Sequence, residues 1–529
     1  MRKFVLLSFI LMFIFVGCRT VPENITSLPD VSENKVKIEE EKPVEGGLLR
    51  VNITSFETLN PLLNDDEKVR QMLNLSLEGL VSLDKNLKPL PALAEKWEIK
   101  GLNIKFYLKK DVKWQDGEKF TANDVRFTFD SFRGKDTKSP YKDILINYIS
   151  SYKIIGDYEF EVTLSRPLAN IPGLFIFPIL AEHQYKNKED LTKKDLIPFG
   201  TGPYKISSYS INNEVVFEKN PYYRGDKPYI EKIVFKIVPT ENAMITSFQS
   251  KEADVTFLSD VDWDKYKEIS GVNIYKYILQ GYVFIAPNHN NPVLRDVNVR
   301  KAIYYGIDIE KISRNVYFNH TLKACIPIRP DSWLYSNKIA CHNYDVKEAN
   351  KILEENGWSL INGVRTNGTY KLKFDLMVNE SNPYLQKVAQ IVKNNLKDIG
   401  IEINVVPKDW NSLLNSVDSG KFDLVLMEWN LSYNQDISQL FMTKGKDNFM
   451  GYSNSKFDEI CNRIFNDNDE SGLKRDYEAL EQILIEDQPI IGLFYGENAI
   501  MAYDNVKGID PTGFNIFKNI GKWYVKNKY

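Results

Sequence analysis

The chain has 529 residues, of which 43% are hydrophobic and 26% charged, with a net charge of −3 at pH 7. That length is enough for two or three domains, each with its own core, and the composition is that of an ordinary globular protein, with nothing that suggests the fibrous or disordered classes. The small negative charge implies no basic surface for nucleic acid at this level.

Met1-Arg2-Lys3 followed by the uncharged run Phe4 to Val16 predicts a signal peptide over 1–17, since the run is too short for a membrane span. It ends in Phe15-Val16-Gly17-Cys18, which is similar to a lipobox, with Phe15 where leucine is usual. Cys18 is then lipidated and anchors the protein to the cell membrane on its extracytoplasmic face; the alternative is plain secretory cleavage nearby. The stretch 18–45 holds the lipidated Cys and a disordered tether, too poor in large apolar residues to fold. An exported chain permits a disulfide. Cys325 with Cys341, across a Pro-rich loop, is the expected pair, with Cys461 left over, and no spacing suits a zinc site.

Leu48 to Ile53 reads as the first strand and Val69 to Leu77 as the first helix. From about Leu83 a second unit carries strands at Leu102 to Lys109, Val112 to Trp114 and Tyr158 to Leu164. Asp116-Gly117 marks a tight turn in it, and Thr121-Ala122-Asn123-Asp124 starts a helix. Gly200-Thr201-Gly202-Pro203 restarts the chain, because its glycines permit positive φ and its proline blocks a helix. Behind it an antiparallel meander is predicted, Tyr204 to Ile211, Glu214 to Glu218 and Ile230 to Val238, then a helix capped by Thr240.

A helix from Asp296 follows, with Asp296 and Arg300 spaced to pair at i, i+4, then another from Val346 to Asn356. Next the pattern alternates: strand Lys371 to Val378, helix Pro383 to Ile399, strand Ile401 to Val406, helix Trp410 to Val417, strand Phe422 to Met427. Such alternation predicts a parallel sheet with right-handed crossovers and a ligand site beyond the strands' carboxyl ends. Trp410 and Trp429 stand there, just past Val406 and Met427. A helix from Leu473 to Glu486 and a strand from Ile490 to Tyr495 come last.

The four histidines show no HExxH or other close ligand pairing, and the chain lacks GxSxG, GxxxxGK and GxGxxG. Metal, triad and nucleotide chemistry are therefore disfavoured, and no metal or cofactor is expected. Paired-carboxylate glycosidase chemistry needs no local motif, which keeps an exported hydrolase as a remote alternative. Arg224-Gly225-Asp226 reads as a turn rather than an adhesion motif, and Tyr282 and Phe284 as core, with a place in a pocket as the alternative.

GTGPYKI at 200–206, FEKNPYYRGDKPYIEKIVFKIV at 217–238 and the helix ending in Ser250-Lys251-Glu252-Ala253-Asp254-Val255 resemble the signature of the bacterial family 5 extracellular solute-binding proteins. PALAEKWEIK, LKKDVKWQDGEKFTANDVRFTFD and NPVLRDVNVRKAIYYGIDIEKI agree in order, so the likeness covers nearly everything after residue 46. The resemblance implies an α/β, two-lobed periplasmic-binding-protein-like fold with a hinge and an extra subdomain inserted in the first lobe. The implied boundaries are 46–82 and 200–284 for lobe I, 83–199 for the insert, 285–489 for lobe II and 490–529 for the return to lobe I. It also implies a monomeric, non-enzymatic receptor that captures a short peptide between the lobes and delivers it to an ABC permease with its ATPase subunits. Nickel chelates, oligosaccharides, opine-like solutes and a role as a peptide-signal sensor are the alternatives.

The same resemblance implies the site. Trp410 and Trp429 match aromatic pocket positions of oligopeptide receptors. Those receptors commonly carry Gly-Trp-x-x-Asp-Tyr after the last pocket strand, with the Asp on the peptide's amino group. Here the stretch reads Glu428-Trp429-Asn430-Leu431-Ser432-Tyr433-Asn434-Gln435-Asp436, so Ser432 stands at the anchoring position. The expected ligand contacts are Trp410, Trp429, Glu428, Asn430, Ser432, Tyr433 and Asp436, with Glu428 or Asp436 in place of the missing acid.

Overall fold

Two long strands, Val272–Pro287 and Ile491–Tyr503, run antiparallel through the middle of one large sheet and belong to both halves of the molecule. The computed structural model describes residues 42–526 except 186, 259–261 and 467–468. The signal peptide, Cys18 and the tether up to residue 41 lie outside the described residues.

On one side of this pair the sheet continues through Val255–Leu258, Leu48–Thr54, Lys232–Val238, Glu214–Lys219 and Tyr204–Ser210. Ile233 and Phe235 are fully buried in its core, while Lys232 faces solvent, as strict alternation requires. On the other side lie Leu424–Asn430, Lys373–Asn379 and Glu402–Lys408, mutually parallel as the alternating pattern predicts. The helix Pro383–Lys397 connects two of these strands and buries Leu385, Val388, Val392 and Leu396 along one stripe. The stretch 83–199 contributes a separate four-stranded antiparallel sheet and its own core, with Phe106, Phe129, Phe160, Phe175 and Phe177 at its centre. Its helix Ala122–Phe132 starts with a full capping box from Thr121 and Asp124.

The crossing strands change register between Ile278 and Tyr282. A break in the ladder leaves backbone carbonyls to be satisfied by other donors. Arg329, fully buried, supplies them: its guanidinium donates to Leu279 O at 2.8 Å and Ile278 O at 3.2 Å, and pairs with Asp331 at 2.8 Å. This irregular segment joins the two sheet halves. Arg329 sits in the loop closed by the Cys325–Cys341 disulfide, the pair expected from the sequence; Cys461 is free and buried.

Several expectations need correction. Gly200 and Gly202 do not take positive φ. They are small because the chain from Leu75 to Ser76 lies against them, with Gly202 N donating to Ser76 O at 2.8 Å and Tyr204 N to Leu75 O at 3.1 Å. A Cβ on Gly200 would collide with Ser76. That contact also explains why the first helix ends at Leu73 and not Leu77. Val112 to Trp114 makes only an isolated bridge, Lys113 to Lys119, around the turn at Gly117, and buries Trp114. Arg300 does not pair with Asp296. It is buried, and its guanidinium donates to the carbonyls of Leu294, Arg295, Asp487 and Gln488, while Asp296 caps the helix through Asn298 N. Finally, the last parallel strand runs on to Asn430, so Trp429 lies within it rather than past its end.

Candidate ligand cleft

A cleft of about 480 Å³ opens between the inserted subdomain, which contributes Tyr148 and Arg166, and the carboxyl ends of the parallel strands. It spans the two halves, so bending at the crossing strands changes its width. A larger hollow of about 600 Å³ lies between Asn74–Ser82 and Phe514–Lys522. Its walls come only from stretches on one side of the joint, so closure cannot enclose a ligand there, and we take the smaller cleft as the site.

Six of the seven residues expected from the sequence line this cleft. Trp410 opens the helix Trp410–Asp418 and is 47% exposed, held at the rim because Asp409 caps that helix through Ser412 N. Trp429 is half-buried. One face of its ring lies on buried Phe284, with centroids 3.8 Å apart, and its edges meet Phe441 and Phe449. Phe284 and Tyr282 are thus core, and Phe284 forms the floor on which Trp429 rests.

Strand alternation separates the two candidate acids. Trp429 shares a face with Val425 and Met427, while Glu428 leaves on the opposite face, over Gly281 and toward Tyr317. Its surface reaches solvent, yet protein surrounds the carboxyl, and desolvation raises its pKa. Asp436 lies on the loop after the strand, where it accepts from Ser438 N at 2.9 Å. Burial pushes its pKa up, an effect that its hydrogen bonds to Ser438 and the nearby Arg166 charge oppose. It has no ion-pair partner among the described residues.

Asn430 and Ser432 also line the cleft, but Tyr433 does not. It turns toward the other half of the molecule, where its hydroxyl donates to Gly513 O at 2.8 Å and its ring meets Phe514. The loop 431–436 is tied down from several sides. Gln280 in the joint donates to Leu431 O, Gln435 accepts from Arg329 N, and Tyr477 donates to Gln435 O. Asn434 exchanges hydrogen bonds with the insert, donating to Ala169 O and accepting from Asn170, each at 3.2 Å. Sequence reasoning missed Tyr148, Arg166, Phe449 and Arg329. Ser165-Arg166-Pro167 follows a strand with no periodic or motif signal, and Arg329 reads as an ordinary loop cation. Among the described residues no cluster of His, Cys, Asp and Glu could hold a metal ion, and no helix is long and apolar enough to cross a membrane.

The model of the bacterial extracellular solute-binding proteins, family 5 Middle, matches residues 88–451. The oligopeptide-binding protein AppA of Bacillus subtilis is 28% identical over 516 residues, 93% of this chain and 94% of its own. The periplasmic oligopeptide-binding protein OppA of Salmonella typhimurium is 25% identical and covers 91% of this chain and 92% of its own. The solved structure of the Bacillus subtilis AppA protein in complex with a nonapeptide superposes with a TM-score of 0.64 at 27% identity, over 92% of this chain and all of that one. Two sheet halves joined by crossing strands, an inserted subdomain and the matched span agree: the chain belongs to the bacterial extracellular solute-binding proteins of family 5.

Proposed function

We propose that the protein captures a short peptide between its lobes and delivers it to an ABC permease, whose ATPase subunits hydrolyse ATP. The observation that carries this reading is the cleft itself: two tryptophans and Asp436, an acid with no ion pair among the described residues, line it on one half of the molecule and the insert lines it on the other. The Bacillus subtilis relative, named for oligopeptides and solved with a nonapeptide, supports it. Lobe I comprises 46–82, 200–284 and 490–529, with 83–199 inserted, and lobe II is 285–489. Closure around the ligand produces the form that the permease recognises. The protein acts as a monomer without enzymatic activity, held at the extracytoplasmic face of the membrane through lipidated Cys18.

Both acids border the cleft, and we take Asp436 rather than Glu428 to replace the acid missing at Ser432, because Glu428 leaves its strand on the face opposite Trp429. A hydrogen bond to a charged group contributes about 1.5–3 kcal/mol against about 1 for a neutral one, so Ser432 alone is a weak anchor for an ammonium. Calorimetry with trialanine and its N-acetylated copy tests this. Acetylation is expected to weaken binding to the wild type and to Glu428→Gln, and to make little difference in Asp436→Asn. Indifference of the wild type to acetylation points to a neutral ligand such as an oligosaccharide.

A further inference from the structure

We propose that His320 and Trp263 form a clasp between the two sheet halves, beside the crossing strands, that holds while His320 is neutral and is released in acid. Along one edge the strand Ile491–Tyr503 carries a short strand from each half: Val255–Leu258 pairs with it from Ala499 to Ala502, and Thr321–Lys323 from Phe494 to Gly496. The two lie end to end, so the chain that follows the first meets the chain that precedes the second. Trp263 packs with Leu258, Met501 and Tyr503 in the core of one half. His320 belongs to the other half, where its carbonyl accepts from Glu497 N at 3.0 Å. The chain reaches it through left-handed backbone at Phe318 and Asn319, with φ of 52° and 64°, which is costly for residues with a Cβ. Its ring lies flat on Trp263, with centroids 3.5 Å apart and planes 11° from parallel, and both residues are buried. The register break between Ile278 and Tyr282 lies opposite Tyr495–Glu497, next to this contact, so bending there shifts one ring against the other.

The charges around the ring set the direction of the switch. Neither ring nitrogen of His320 has a hydrogen-bond partner among the described residues: Asp264 Oδ1 is 3.2 Å from Nε2, but off the line that a hydrogen bond needs. The charges that face the ring among those residues are Asp264, Lys276, Glu497 and Lys267. They cancel in pairs, Asp264 with Lys267 at 2.8 Å and Glu497 with Lys276 at 3.1 Å. The two ammonium groups already stand 5.9 and 5.1 Å from the centre of the Trp263 ring. A proton on His320 is therefore a fifth charge, buried and unmatched, and burial lowers the pKa of the ring more than Asp264 raises it. A contact that depresses a group's pKa is fully supported above the free value, here 6.5, and loses that support as pH falls. The clasp is thus intact at neutral pH and weakens below 6.5.

Spin labels at Ile211→Cys and Ile361→Cys, exposed positions on opposite halves, report the distance between the halves in the Cys18→Ala chain, whose remaining free thiol, Cys461, is buried. Double electron–electron resonance is expected to show one distance population at about pH 7.5 and a second, displaced one at about pH 5. His320→Phe keeps a flat ring on Trp263 and takes no proton, so it should hold the single population at both pH values. His320→Gln does not ionise either but loses the stack, so it should show the displaced population at both, and it serves as the control if His320→Phe does not fold. In proton NMR, the imidazole signal that is missing from His320→Gln should titrate in the parent chain with a midpoint below 6.5. Distances that do not change with pH in the parent chain, an acid shift that persists in either His320 variant, or an imidazole midpoint at or above 6.5 overturns the clasp. No ligand enters these measurements, so peptide capture stands or falls separately.

Discussion

Glu481 is fully buried on the helix Glu470–Asp487, where both carboxyl oxygens accept from Ser336 N, at 3.2 and 3.1 Å. Burial pushes its pKa up to about 8, with a smaller push from Glu478, so the native protein holds this group protonated at neutral pH. The unfolded chain releases that proton near 4.5. A native pKa raised above the unfolded one contributes stability that is complete below 4.5 and is lost as pH rises through about 8. Within that window the slope approaches about 1.4 kcal/mol per pH unit. Glu481→Gln keeps an acceptor for Ser336 N and removes the titration. Urea unfolding from pH 5 to 9 is expected to show wild-type stability falling relative to the variant by up to that slope, with the gap levelling above pH 8. His289, whose pKa burial lowers to about 4, acts in the opposite direction between 4 and 6.5, but equally in both proteins. Parallel pH profiles for the two proteins would refute the reasoning. The same helix donates from Tyr477 to Gln435 in the cleft loop, so a softened helix should also loosen the site.

Trp429→Ala removes the wall that rests on Phe284. Aromatic contacts contribute about 0.5–1.5 kcal/mol beyond their area, so peptide affinity should fall several-fold in calorimetry while the unfolding transition remains cooperative; unchanged affinity would make Trp429 core only. Replacing Cys325 and Cys341 by serine opens the loop that carries Arg329. It should lower stability by about 3 kcal/mol in guanidinium unfolding, the value for a loop of about that length, and reduction of the wild type should reproduce the loss. Cys18→Ala should release the protein from membranes with peptide binding intact; retention after a carbonate wash would contradict lipid anchoring.

What was legible in the sequence followed from local rules. Alternation marked Ile233 and Phe235, capping residues marked Thr121 and Thr240, and the strand–helix succession after Lys371 gave the parallel sheet. The failures share a cause, which is partners far away in the chain. Gly200 is small because of Ser76, Arg300 is spent on carbonyls near Gln488, and Arg166 meets the cleft only because the insert folds over lobe II. The strand end at Asn430 was misjudged because Glu428-Trp429-Asn430 looks like a loop until its pairing with Gly281–Val283 is seen. That pairing sends Glu428 and Trp429 to opposite faces, and this is why the sequence alone could not choose between Glu428 and Asp436.

Native mass spectrometry of the full chain purified without denaturation, followed by release and sequencing of whatever it carries, tests the central claim most directly. The account predicts a heterogeneous set of short peptides with free amino termini, displaced by added trialanine and depleted in Asp436→Asn. A single sugar, a metal chelate or another non-peptide mass bound in stoichiometric amount would contradict it.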